Sequence, residues 1–194
     1  GSSILDLTYR EHRLLPGKSS LEGLPATYVE EEAEADSVEV VLEDAPSGLV
    51  VRLLLTIFRD RPVIVRSLRV VNEGRQPAEL TTAISASLDL PDADWHLAQL
   101  TGAWGRECHV SEAPLMRGRR SLASRHGTSS HYQNPFLLLR RPSTTEDSGE
   151  AIGLSLVYSG NFLAEVEVDP FGTVRARLGL DPETFCWQLA PGAA

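Results

Sequence analysis

Apolar and polar residues alternate with a period of two along most of this chain, the spacing of strands whose two faces meet different surroundings. After Gly48, residues Leu49, Val51, Leu53, Leu55 and Ile57 share one side, while Arg52 and Thr56 lie on the other. That pattern predicts a strand over 49–58 with one face fully buried and one partly wet. Arg59-Asp60-Arg61-Pro62 then turns the chain into a second predicted strand over 63–71, closed by Asn72-Glu73-Gly74. A third, long strand is predicted over 78–90 and broken by Pro91-Asp92-Ala93-Asp94. Shorter strands are predicted over 97–101, 104–111, 115–124, 136–140, 152–158, 162–169, 173–180 and 185–189. Turn signals recur about every eight to twelve residues, as in sandwiches rather than βαβ units.

No window combines helical periodicity with caps. Glu30-Glu31-Glu32-Ala33-Glu34-Ala35-Asp36 has helical propensity but no apolar stripe, so it reads as an exposed acidic loop. The fold class is therefore all-β and antiparallel, two packed sheets forming a single β-sandwich domain over 1–194.

Composition narrows the functional classes. The 194 residues suffice for a hydrophobic core without disulfides. Acids outnumber Lys and Arg by 27 to 18, a net charge of −9, and Lys18 is the sole lysine. Such a chain offers no basic stripe for a phosphate backbone, so no nucleic-acid partner is expected. No apolar run reaches the length of a membrane span, and no membrane association is expected. Cys108 and Cys186 form no framework, which points to reduced thiols and a cytoplasmic location.

The unusual chemistry lies in Arg125-His126-Gly127-Thr128-Ser129-Ser130-His131-Tyr132-Gln133-Asn134-Pro135-Phe136. Ser129, Ser130 and His131, with Asp89, Asp92 or Asp94, have the composition of a nucleophile set. They lack a Gly-x-Ser-x-Gly elbow, however, and neighbours along a strand do not face one another. Turn chemistry explains the stretch better: Gly127 bends the backbone, Ser and Asn satisfy amides, and Asn134-Pro135 sets an extended exit. Cys108-His109 with His96, His126 or His131 lacks the close ligand pairs of a zinc site. The carboxylates Asp92, Asp94, Glu146, Asp147, Asp181 and Glu183 read as solvated turn residues rather than a glycosidase pair. Among the tryptophans, Trp187 reads as core, Trp95 as partly exposed, and Trp104 as either core or ligand wall, because its flanking glycines permit an unusual side-chain direction.

Phrases spread along the sequence carry a family resemblance. They are Gly17-Lys18 with Leu21-Glu22-Gly23-Leu24-Pro25-Ala26-Thr27-Tyr28-Val29-Glu30, Arg66-Ser67, and Leu88-Asp89-Leu90-Pro91-Asp92. Further along come Gly102-Ala103-Trp104-Gly105-Arg106-Glu107, the 124–136 stretch, Val157-Tyr158-Ser159-Gly160-Asn161-Phe162, and Phe185-x-Trp187-x-Leu189. In this order they resemble the amino-terminal β-supersandwich domain of the α-galactosidases of glycoside hydrolase family 36. The resemblance implies a supersandwich truncated at its N-terminal side, with the catalytic (β/α) barrel and its two aspartates outside this chain. It implies a homo-oligomeric parent enzyme that removes terminal α-linked galactose from melibiose or raffinose with retention, and no cofactor. It implies Trp104 as the substrate-binding residue and no catalytic residue here. Arg125, Ser129, Ser130, His131 and Asn134 would form a domain or subunit contact. The alternative is a free-standing carbohydrate-binding or structural, oligomerising sandwich.

Overall fold

A computed structural model describes residues 5–129 and 131–194. They form two compact units: one from 5–81 plus 186–194, the other from the described residues of 82–185. The first unit holds β1 (Thr8–Pro16), β2 (Ala35–Asp44), β3 (Leu49–Phe58), β4 (Ile64–Asn72) and the short β5 (Ala78–Leu80). The first four pair antiparallel in sequential order as one sheet. The second unit holds β6 (Ala86–Leu90), β7 (His96–Ala103), β8 (Arg106–Pro114) and β9 (Gly118–Ser124), followed by β10 (Gln133–Arg140), β11 (Ala151–Ser155), β12 (Phe162–Val168) and β13 (Val174–Leu180). Finally β14 (Trp187–Leu189) returns to pair with β5 in the first unit.

The second unit is a sandwich of two four-stranded sheets, ordered β11-β10-β7-β8 and β6-β13-β12-β9. Alternation along each strand sends Leu97, Leu137 and Leu139 from one sheet, and Leu122, Phe162, Ala164, Val166, Val174, Ala176 and Leu178 from the other, into one core. Every strand pairing is antiparallel, and no α-helix occurs among the described residues. The all-β, antiparallel sandwich is as the periodicity predicts.

Several local expectations are corrected. β1 and β2 fall outside the predicted strands. β1 is an edge strand exposed along nearly its whole length, so it carries no alternation to read. The acidic run is a loop only in part: Glu32–Glu34 make one 3₁₀ turn, and buried Ala35 already begins β2. The strand over 78–90 divides in two. Its break comes where the carbonyl of Ala83 accepts the Leu180 amide at 2.9 Å, and where a Cβ on Gly179 would overlap that same oxygen. On β3 the buried and wet faces are not as predicted: Ile57 is 56 % exposed, whereas Val50, Thr56 and Phe58 on the other face are buried. Thr56 is buried because its hydroxyl pairs with that of Ser37 at 2.7 Å, and Ser37 in turn donates to the Gly17 carbonyl at 2.7 Å.

Two tryptophans are also corrected. Trp95 is only 2 % exposed, because the loop after Pro91 folds back over the core. The Arg141 guanidinium lies 3.8 Å from its ring centroid, anchored to Asp92 and Glu150. Trp187 is 59 % exposed: on so short a strand only Leu189 turns inward.

Charged pairs tie the strands and give stability a direction with pH. Asp44 lies below the usual aspartate range because it accepts from the Ser47 hydroxyl and from the amides of Asp6 and Ser47. Asp89 and Asp92 lie below it because they accept from Arg175 and Arg141 respectively. A carboxylate whose folded pKa is depressed stabilises the fold above its unfolded pKa and loses that contribution as pH falls through the folded value. Melting temperature is therefore expected to be flat from neutral pH to about pH 5, then to fall from about pH 4 downward. Thermal melts across that range check this, and added salt should shrink the effect because Asp89 and Asp92 are exposed. A melting temperature that stays level to about pH 2 would contradict it.

Candidate functional site

β7 and β8 form a hairpin whose tip is Trp104-Gly105. Gly105 has φ 75° while Trp104 does not take a positive φ, the combination in which glycine is favoured at the second central residue of a turn. Its amide donates to the Glu107 carboxylate at 2.7 Å, which braces the tip from below. One residue further on, the β7–β8 register shifts, and Cys108 takes φ 57° in the extra residue of a bulge. Trp104 is 85 % exposed. Its indole is thus held out in solvent by a turn and a bulge, rather than packed in the core.

The polar stretch runs beside this hairpin and is fastened by its own side chains. The Ser124 hydroxyl donates to the Thr128 carbonyl at 2.5 Å. Arg125 bonds Asp181 at 2.5 Å and Glu183 at 2.6 Å. The Gly127 amide donates to the Asn161 side chain at 2.8 Å, and Ser129 bonds the Tyr158 carbonyl at 3.0 Å through its hydroxyl and the Ser159 carbonyl at 2.8 Å through its amide. The two polar phrases of the sequence, 125–136 and 157–162, are therefore two sides of one hydrogen-bonded assembly. The rings of His126 and His131 lean on Tyr132 with centroids 5.5 Å and 4.4 Å away.

Asp181 is the buried anchor of this assembly. Its side chain has no exposed surface, and its other oxygen accepts the Glu183 amide at 3.0 Å. This corrects its reading as a solvated turn acid. The Arg125 guanidinium is held above its ordinary pKa chiefly by its hydrogen bond to Asp181. Arg125→Ala is expected to lower the melting temperature markedly, because it strands a buried carboxylate. Arg125→Lys should recover part of the stability, since a lysine keeps the charge but not the fork. Differential scanning fluorimetry of the pair checks this; equal melting points for Ala and wild type would contradict it.

The structure separates the sequence-derived candidates. Trp104 stands in solvent at the hairpin tip. Arg125 and Ser129 direct their side chains into bonds within the same unit. His131 packs on Tyr132, and Asn134 lies in the stretch where the β10–β7 register jumps between Gln133 and Leu137. Ser130 lies outside the described residues. Sequence reading missed Glu107 and Asp181 as structural partners; the Gly-x-Glu spacing after Trp104 was the available signal for the first. The acids near the loop are engaged: Asp181 and Glu183 by Arg125, Glu107 by the turn amide. What this arrangement can do is present an aromatic face on a stiff support, a surface suited to the C–H face of a sugar ring.

Fold and site together define an antiparallel β-sandwich carrying a solvent-exposed tryptophan at a hairpin tip. The sequence profile of the glycosyl hydrolase family 36 N-terminal domain matches residues 1–190, and the chain belongs to that family. It is 49 % identical over 192 residues to the α-galactosidase AgaA of Geobacillus stearothermophilus, covering 99 % of this chain and 26 % of that protein. It is 41 % identical over 191 residues to the α-galactosidase Mel36A of Lactobacillus acidophilus, covering 98 % and 26 % respectively. The crystal structure of AgaA superposes with a TM-score of 0.97 over 99 % of this chain and 27 % of that one. An α-galactosidase from Lactobacillus brevis, 43 % identical, also superposes at 0.97, over 100 % and 26 %. AgaA variants have been crystallised with stachyose and with raffinose. The present chain spans about a quarter of the length of these relatives.

Proposed function

We propose that this chain is the non-catalytic N-terminal domain of an α-galactosidase that removes terminal α-linked galactose from oligosaccharides such as raffinose with retention of configuration. In this reading the domain packs on a catalytic (β/α) barrel, and Trp104 forms part of the wall of the sugar pocket. The homo-oligomeric state and the contact role of Arg125, Ser129, His131 and Asn134 belong to the same proposal. The observation that carries it is the 85 % exposure of Trp104 on a braced hairpin, in a chain whose relatives are α-galactosidases. Singly exposed apolar side chains are ordinary on protein surfaces; what supports a ligand role for this one is its braced turn in a chain whose relatives are α-galactosidases.

Retaining hydrolysis needs two carboxyl groups about 5 Å apart across the glycosidic bond. The acids beside the Trp104 hairpin and the polar loop are instead tied to Arg125 and to the turn. The domain therefore shapes the pocket and leaves bond cleavage to the barrel. The full-length enzyme should hydrolyse p-nitrophenyl α-galactoside, whereas the 194-residue chain should give no turnover. Turnover by the purified domain, or none by the full-length enzyme, would refute this division.

A further inference from the structure

The polar loop meets the tryptophan hairpin along residues 100–102 of β7. The Gly102 amide donates to the Tyr132 carbonyl at 3.3 Å. A Cβ on Gly102 would lie 2.8 Å from the His131 carbonyl oxygen and 2.5 Å from that of Arg106. Gln133 pairs with Thr101, and its side-chain amide reaches the Leu100 carbonyl at 3.5 Å. So at residues 100–102 β7 is gripped on one side by the incoming loop and on the other by β8. Both ladders break register here, between Thr101 and Ala103 toward β8 and between Gln133 and Leu137 along β10. The β7–β8 ladder is interrupted opposite Gly102 and resumes at Ala103 with Arg106, and the loop contacts β7 at the interruption.

We propose that the segment over 131–133 is a splint that sets the position of Trp104, acting through its backbone junction with Gly102. This rests on Trp104 being a sugar contact. The line of support runs from the Tyr132 carbonyl and the paired Gln133 to Gly102 and Thr101, two to three residues before the hairpin tip. Only glycine fits at position 102, because any side chain would push the hairpin away from His131 or from Arg106. Gly102 and Gln133 are positioning residues; neither needs to touch the sugar. A wall residue placed about 1 Å off its productive position loses much of its benefit.

The test is a double-mutant cycle in the full-length enzyme with raffinose, using Gly102→Ala alone and combined with Trp104→Ala. Alone, Gly102→Ala is expected to raise KM and lower kcat/KM about five- to ten-fold. In the Trp104→Ala background it should change kcat/KM by less than about two-fold, since its effect passes through the indole. Gln133→Ala, which keeps the backbone junction and removes the side-chain amide that reaches the Leu100 carbonyl, should show a weaker effect with the same background dependence. This milder variant carries the test if Gly102→Ala fails to fold. Equal losses in both backgrounds would assign these residues a merely structural role and overturn the splint. So would unchanged kinetics in the single variants. Failure of the underlying reading is seen separately, as wild-type kinetics for Trp104→Ala alone.

Discussion

Trp104→Ala in the full-length enzyme is expected to lower kcat/KM for raffinose about ten-fold or more while leaving the fold intact. The two halves of that expectation have one cause. A side chain 85 % exposed contributes little to the core, so its removal should shift stability by no more than about 0.5 kcal/mol. The same exposure leaves the whole indole face available to a sugar, and stripping an aromatic ring from a pocket wall weakens binding above all. Steady-state kinetics beside a thermal melt decide it. A lower melting temperature with normal kinetics would make Trp104 a structural residue after all.

The second large effect concerns the opposite kind of tryptophan. Trp95→Ala is expected to destabilise the second unit by about 3–5 kcal/mol, the usual cost of truncating a fully buried indole. Trp95 sits in the core with Leu97, Leu137 and Leu139, and its removal also takes away the face on which the Arg141 guanidinium lies. The melting temperature should fall by about 10–20 °C for a unit of this size. Urea unfolding with an unchanged slope and a lowered midpoint would confirm a loss of packing rather than a change of compactness. A shift under about 1 kcal/mol would return Trp95 to the partly exposed position that its place after a turn suggests.

These two residues show where the sequence is legible. Alternation located most strands of the second unit within a few residues, because most of them have one face against a shared core. β1 is an exposed edge strand with no inner face to alternate with, and β8, also largely exposed, was located between the turn signals that bound it. The burial of Trp95 and the exposure of Trp187 were hidden for a related reason. Burial beside a turn depends on whether the loop folds back, and here Arg141 reaches across from another strand to close it over Trp95. No local pattern reports a partner 49 positions away.

The site was legible in its parts and not in its assembly. The Gly-Ala-Trp-Gly phrase marked the hairpin tip, and the Ser, His and Asn residues marked a fastened loop. Their meeting at Gly102 is a tertiary fact, written in a backbone approach too close for any side chain. Asp181 was hidden likewise: in sequence it opens an ordinary turn, and only its pairing with Arg125 makes it buried.

The role of this domain turns on where Trp104 lies relative to sugar. A crystal structure of the full-length enzyme, inactivated and bound to raffinose, measures that position. The expected result is the Trp104 indole face stacked on the sugar with ring carbons about 4 Å apart. An indole turned away from the pocket, or buried against protein with no sugar beside it, would contradict it.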